Sequence, residues 1–262
     1  MISSTVQSGQ VSISYRVIGA GSRDVFLIHG WMMSGAVFDD LIASLDTEGL
    51  RLIVIDHRGT GRSDHPSDGY TIAQYAADVL AVADSVGSQS FVAVGHSMGG
   101  QIAQWLAATT PERVSGQVLL CPVPASGIPL PPDAQALFRN CGQNRGMQQT
   151  ILGLACKQLS DEARERLLND SVTTAPQCIA QGFDSWMAGG FAERLSAIKA
   201  PTLVVATDDP FLPPAFLRQA VVSLIRGARL AVLPGPGHYV QVERPRETAA
   251  LLEAFLAGLA AT

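Results

Sequence analysis

The sequence predicts an α/β fold with a mostly parallel sheet, and three observations carry that prediction. Short apolar runs, the length of buried strands, alternate with segments whose apolar residues recur at helical spacing. The 262-residue chain is 47% hydrophobic and only 16% charged, enough for one large core. Several apolar runs end in turns that combine glycine with a hydroxyl, a carboxylate or an imidazole. Those strand ends are where open α/β sheets gather ligands.

Residues 11–18 alternate apolar and polar, which predicts a half-exposed antiparallel strand. Residues 25–28 read as a buried strand stopping at His29-Gly30-Trp31, and 35–45 have helical spacing. Residues 50–55 form another buried strand, ending in Asp56-His57-Arg58-Gly59-Thr60-Gly61-Arg62-Ser63. A helix follows over 71–86, with Thr71 as N-cap and Gly87 as stop. The strand 91–94 then runs into Gly95-His96-Ser97-Met98-Gly99 and a helix over 100–108, followed by a strand at 114–120. From Pro122 prolines crowd the chain, and the segment to about 199 has no strand pattern. It reads as short helices over 132–141, 147–158, 161–173 and 176–187. Residues 1–123 and 199–262 are therefore expected to form the core, and 124–198 a helical cap over one edge of the sheet. The alternation resumes with a strand at 202–206, a helix at 215–225, a strand at 228–233 and a helix at 244–259. Such connections imply right-handed crossovers.

A net charge of -5 without any basic run argues against nucleic acid or a membrane surface as partner. Cys121, Cys141, Cys156 and Cys178 match no metal-site spacing and read as free thiols in a reducing cytoplasm. Residues 1–10 lack the basic and apolar regions of a signal peptide, and no run is long enough to span a bilayer. A cytoplasmic location is expected, with no metal, no cofactor, and a small, largely apolar molecule as substrate.

The stretch Gly95 to Gly99 carries the chemistry. Strand, sharp turn and helix with serine at the tip is the context in which G-x-S-x-G lifts a nucleophile clear of a sheet edge. The residues two before and two after the serine crowd each other, so Gly95 and Gly99 supply the room. The strand 202–206 ends at Asp208-Asp209, and the strand 228–233 ends at Gly237-His238. Hydroxyl, carboxylate and imidazole thus converge on one sheet edge. His238 is expected to take the Ser97 proton, with a carboxylate fixing its tautomer. Asp209 is the expected carboxylate, and Asp208, in the same turn, is its rival.

These pieces resemble the α/β-hydrolase superfamily along almost the whole chain. The resemblance rests on His29-Gly30-Trp31, the Asp56-x-Arg58-Gly59-x-Gly61-x-Ser63 loop, Gly95 to Gly100, the turn from Asp209 to Pro213, and Gly237-His238. It is most similar to small bacterial serine esterases, enol-lactonases and cofactor-free perhydrolases. The resemblance implies an eight-stranded sheet flanked by helices and an oxyanion hole made by the backbone N–H groups of Trp31 and Met98. It implies a serine hydrolase cleaving a small ester or lactone through an acyl-enzyme on Ser97. C–C bond hydrolysis, perhydrolysis, cofactor-free dioxygenation, or a ligand receptor with vestigial turnover use the same scaffold. Oligomeric state is not legible.

Trp31, Phe183, Trp186, Met187 and Tyr239 are expected to line the substrate cleft. His96 is expected to be structural and His29 to brace the oxyanion loop, while His57 and His65 read as solvated or turn-forming. Arg139, Arg145 and Arg164 are weighed as anchors for an anionic substrate and set aside as solvated.

Overall fold

The computed structural model describes residues 2–259. The strands are β1 (Ile2–Ser8), β2 (Val11–Ile18), β3 (Arg23–Ile28), β4 (Leu50–Ile55), β5 (Phe91–His96), β6 (Val114–Leu120), β7 (Thr202–Thr207) and β8 (Arg229–Leu233). They form one eight-stranded sheet in the order β1-β2-β4-β3-β5-β6-β7-β8. The pairs β1/β2 and β2/β4 are antiparallel and every other pair is parallel. The central strands are apolar along their length because both faces are covered.

Helices of the core are α1 (Asp39–Ser44), α2 (Ile72–Ser85) and α3 (Met98–Thr109). Between β6 and β7 come α4 (Pro132–Arg139), α5 (Arg145–Ala155), α6 (Asp161–Ser171) and α7 (Pro176–Ala188). The C-terminal helices are α8 (Pro214–Ala220), α9 (Val240–Glu243) and α10 (Pro245–Ala257). From β3 the chain steps outward to β4, then reverses to β5 and β6. With right-handed crossovers that reversal places α1 on one face and α2 and α3 on the other, and α1 accordingly packs against α10 while α2 packs against α3.

Local signals act as expected where they are strong. The Thr71 hydroxyl accepts from the Gln74 N–H and caps α2, as Ser160 caps α6 through the Ala163 N–H. Proline opens α4, α7, α8 and α10, where its missing N–H costs nothing. Three expectations shift. The segment 35–45 is a 3-10 turn over Gly35–Phe38 followed by the short α1. The helix expected over 215–225 stops at Ala220, and α9 fills part of the turn after β8. The eighth strand, β1, is Ile-Ser-Ser-Thr-Val-Gln-Ser, an exposed edge whose polar residues meet solvent and leave no apolar run to detect.

Candidate active site

Ser97 joins β5 to α3 with φ 55° and ψ -119°, a conformation that a residue with a side chain holds only under constraint. The constraint is visible. A Cβ on Gly95 would lie 2.3 Å from the Gly99 carbonyl oxygen, and one on Gly99 would lie 2.0 Å from the Ile28 carbonyl oxygen. The Ser97 N–H donates to Leu120 O at 3.0 Å, and its carbonyl accepts from Val123 N at 3.0 Å. Ser97 is therefore tied to the end of β6 as well as to its own strand. Met98 opens α3, so its N–H has no intrahelical acceptor.

The turn after β7 separates the two aspartates. Asp209 is buried, and its Oδ1 accepts from Phe211 N at 2.8 Å while Oδ2 stands 2.6 Å from His238 Nδ1. Asp208 is exposed and accepts from Gly235 N at 2.9 Å. The Thr207 hydroxyl links the two turns, donating to Gly237 O at 2.8 Å and accepting from Asp209 N at 3.1 Å. A carboxylate only accepts, so the Nδ1 facing Asp209 carries the ring proton and Nε2 is left with a free lone pair.

Cys121, the residue after β6, has φ 42°. Its Sγ, an Asp209 oxygen and a His238 ring nitrogen lie within 4.8 Å of one another, a proximity its sequence spacing does not reveal. Burial pushes this thiol well up, and the nearby Asp209 adds to the shift.

The loop after β3 abuts the elbow: a Cβ on Gly30 would sit 3.0 Å from Ser97 Cβ. Among the described residues the Trp31 backbone N–H donates to no main-chain carbonyl. The Trp31 ring is held by Ile179 O, 2.8 Å from its Nε1, and stacks on Phe138 with centroids 5.4 Å apart. Met32 takes φ 72°. Asp170 of α6, absent from the sequence-based expectations, reaches this loop and accepts from the Ser34 N–H at 2.8 Å and hydroxyl at 2.7 Å.

His29 braces the loop as expected: Nε2 accepts from His57 N at 2.9 Å, leaving Nδ1 to donate to Gly30 O at 2.8 Å. His96 is structural, its Nε2 donating to His238 O at 3.0 Å. His65 is exposed. The expectation for His57 is corrected. It is fully buried behind the loop, with its Nε2 on His29 O at 3.1 Å and its ring 5.0 Å from that of Tyr75. The polar residues around it in sequence disguise this, because they point inward too: Arg58 pairs bidentately with Asp78 at 2.7 Å in the interior.

Ser97 and His238 line the same cavity with Trp31, Trp186 and Tyr239. Phe183 and Met187 do not line it, which corrects two of the expected cleft residues. Phe183 packs behind Trp186 with centroids 5.0 Å apart, and the Met187 carbonyl is taken by Ile128 N at 3.2 Å. The remaining wall comes from Ile128, Leu130, Phe138, Ile151, Phe211 and neighbours, which sequence spacing does not group. Their isolated apolar positions read only as cap packing. The cavity offers ≈ 50 Å³ for the centres of water-sized atoms. One water needs about 10–15 Å³ on that measure, so the cavity is small. No arginine is in the wall. Arg139 pairs with Asp184, and Arg145 pairs with Glu165 at 2.6 Å.

The chain and its fold have clear counterparts. A family model described as alpha/beta hydrolase fold matches residues 25–245. The chain belongs to the α/β-hydrolase family. It is 31% identical to a non-heme haloperoxidase of Rhodococcus erythropolis over 88% of this chain and 90% of that protein. It is 28% identical to a bifunctional esterase/perhydrolase of Acinetobacter calcoaceticus, over 83% of this chain and 87% of the relative. Among solved structures, Est816, described as an N-acyl homoserine lactone degrading enzyme, is 33% identical with a TM-score of 0.81, covering 96% of this chain and 100% of that one. These relatives support a hydrolase. No helix among the described residues is long and apolar enough to cross a membrane.

Proposed function

We propose that this α/β hydrolase cleaves a small, largely apolar carboxylic ester or lactone through an acyl-enzyme on Ser97. The observation that carries the reading is the 2.6 Å contact of His238 Nδ1 with buried Asp209, in a cavity whose wall His238 shares with Ser97. His238 Nε2 takes the proton as Ser97 Oγ attacks the acyl carbon. Asp209 holds the tautomer and stabilises the imidazolium. The oxyanion is received by the N–H groups of Trp31 and Met98, each worth ~10²–10³ in rate. His238 then returns the proton to the leaving alcohol, and water repeats the sequence to release the acid. A cavity this small favours a short acyl group. Apolar walls with no cationic side chain favour a neutral one.

A fluorophosphonate is expected to label Ser97, and Ser97→Ala to abolish turnover of p-nitrophenyl acetate and of simple lactones while the fold survives. Unchanged hydrolysis by Ser97→Ala refutes the reading. Similarity to a haloperoxidase and an esterase/perhydrolase favours a second outcome for the same acyl-enzyme. Hydrogen peroxide in place of water would take the acyl group as a peracid, measurable as Ser97-dependent peracid formation.

A further inference from the structure

We propose that Glu243 is a positioning residue for the His238 imidazole and the joint through which the α4–α7 cap holds it. This inference rests on the hydrolase reading above. Glu243 closes α9, five residues past His238, and its side chain is buried. Its carboxylate accepts four backbone N–H groups. Two belong to the residues flanking the imidazole: Gly237 N to Oε2 at 2.9 Å, and Tyr239 N to Oε1 at 3.1 Å. Two belong to the cap just beyond α5: Lys157 N at 2.9 Å and Gln158 N at 2.7 Å, both to Oε2.

The amide between the flanking pair is fixed as well. His238 N donates to Ala155 O, the last residue of α5, at 2.9 Å. Three consecutive amides around the imidazole are thus anchored, the outer two by Glu243 and the middle one by the cap. The fit leaves no slack, since a Cβ on Gly237 would lie 2.2 Å from Ala155 O and 2.9 Å from Lys157 N.

No cation pairs with Glu243 among the described residues. Four converging amide dipoles compensate its charge instead. The donor set also explains the residue type. A carboxylate accepts through both oxygens and has no donor, which suits four N–H groups, three at Oε2 and one at Oε1. Glutamine would turn an NH₂ toward at least one of them. Among the described residues Glu243 has no side-chain partner, so its bonds serve to hold main chain beside His238. A displacement of about 1 Å at a reacting group costs up to ~10²-fold in rate.

The test compares Glu243→Gln, Lys157→Pro and Ser97→Ala with the parent enzyme on p-nitrophenyl acetate. Glu243→Gln is expected to lower kcat by about 10–100-fold with KM changed less than about threefold. The downfield proton NMR signal of His238 Nδ1–H is expected to broaden or shift. Lys157→Pro deletes one cap donor and leaves the acid in place, and Cys156 before it is already extended (φ -97°, ψ 143°), as a pre-proline residue must be. It is expected to lower kcat severalfold.

A folded Glu243→Gln with parental kcat and an unmoved proton signal overturns the proposal. So does a kcat loss that only tracks the folded fraction. If Glu243→Gln does not fold, Lys157→Pro decides, and parental kcat there overturns the proposal. Ser97→Ala separates the two claims. Retained hydrolysis in that variant removes the acyl-enzyme on Ser97, while the proton signal still reports whether Glu243 holds the ring.

Discussion

Three buried histidines give the fold a specific weakness toward acid. His29, His57 and His96 are each fully enclosed, and each has room for only one ring proton. Protonating His29 would turn Nε2 from the acceptor of His57 N into a donor facing it. Protonating His57 or His96 would place a second N–H at Nδ1, where neither ring has a partner among the described residues. Burial holds all three below the usual imidazole value of 6.5, His57 and His96 well below it. The unfolded chain titrates near 6.5, so below that pH it binds protons the folded chain refuses. Stability is fully present above about pH 6.5 and falls as pH drops through the unfolded value.

At pH 5.5, one unit below, His57 and His96, held well below their usual value, each cost on the order of 1 kcal/mol, and His29, lowered less, adds to them, for a total of about 3 kcal/mol. That is a large share of a typical stability of about 5–15 kcal/mol. With a urea slope near 3 kcal/mol/M, the unfolding midpoint falls by about 1 M between pH 7.5 and 5.5. Asp170 opposes the trend. Burial raises its carboxyl above the usual 3.8 against the Ser34 hydrogen bonds, so the folded chain takes up that proton first. This compensation enters as pH falls through the raised Asp170 value. The assay is urea unfolding followed by tryptophan fluorescence across that pH range, repeated on His57→Gln, which removes about a third of the effect. A midpoint change below about 0.5 M refutes the reasoning.

Three further outcomes are expected. Asp209→Asn should lower kcat by about 10³–10⁴-fold, while Asp208→Asn, exposed and bonded only to Gly235 N, should stay within a few-fold in the same ester assay. Gly99→Ala should cost about 3 kcal/mol in denaturant unfolding because its Cβ meets the Ile28 carbonyl oxygen, whereas Gly153→Ala, on α5 with open space around it, should gain up to about 1 kcal/mol. Cys141 and Cys178, both pushed up to about 12 by burial, and Cys121, pushed well up, should resist iodoacetamide at pH 8 until urea exposes them, as mass spectrometry would read.

The parts of the fold legible in sequence are those where one local signal suffices. Apolar patterns mark seven of the eight strands, Thr71 marks the start of α2, and glycine spacing marks the elbow. The acid was narrowed to two adjacent residues and no further. Asp208 and Asp209 share a turn, and only the fold decides which carboxylate turns inward. His57 was misjudged for the opposite reason. Its neighbours Asp56, Arg58 and Thr60 look like a solvated loop, yet their polar atoms are satisfied by Gly35 N, Asp78 and His57 O. A polar sequence can be buried when its partners lie far along the chain.

The segment between β6 and β7, which carries α4 to α7, shows why its sequence identifies a fold but not a substrate. It supplies two sets of residues with separate tasks. Ile128, Leu130, Phe138 and Ile151 form cavity wall, and their side chains set the size and polarity of what fits. The other set acts mainly through groups that ignore substrate: Ala155 O on His238 N, Ile179 O on the Trp31 ring, and the Asp170 carboxylate on Ser34. Two of these three contacts use main-chain carbonyls, which any residue type supplies, so they leave no sequence signature. Swinging the cap away as one piece would break all three and release both loops that stand against the elbow. The wall can therefore vary to change the acyl group accepted, while the brace must persist for any substrate to react. Changes in the wall are expected to redistribute kcat/KM among esters of different chain length. Changes in the brace are expected to lower kcat for all of them alike.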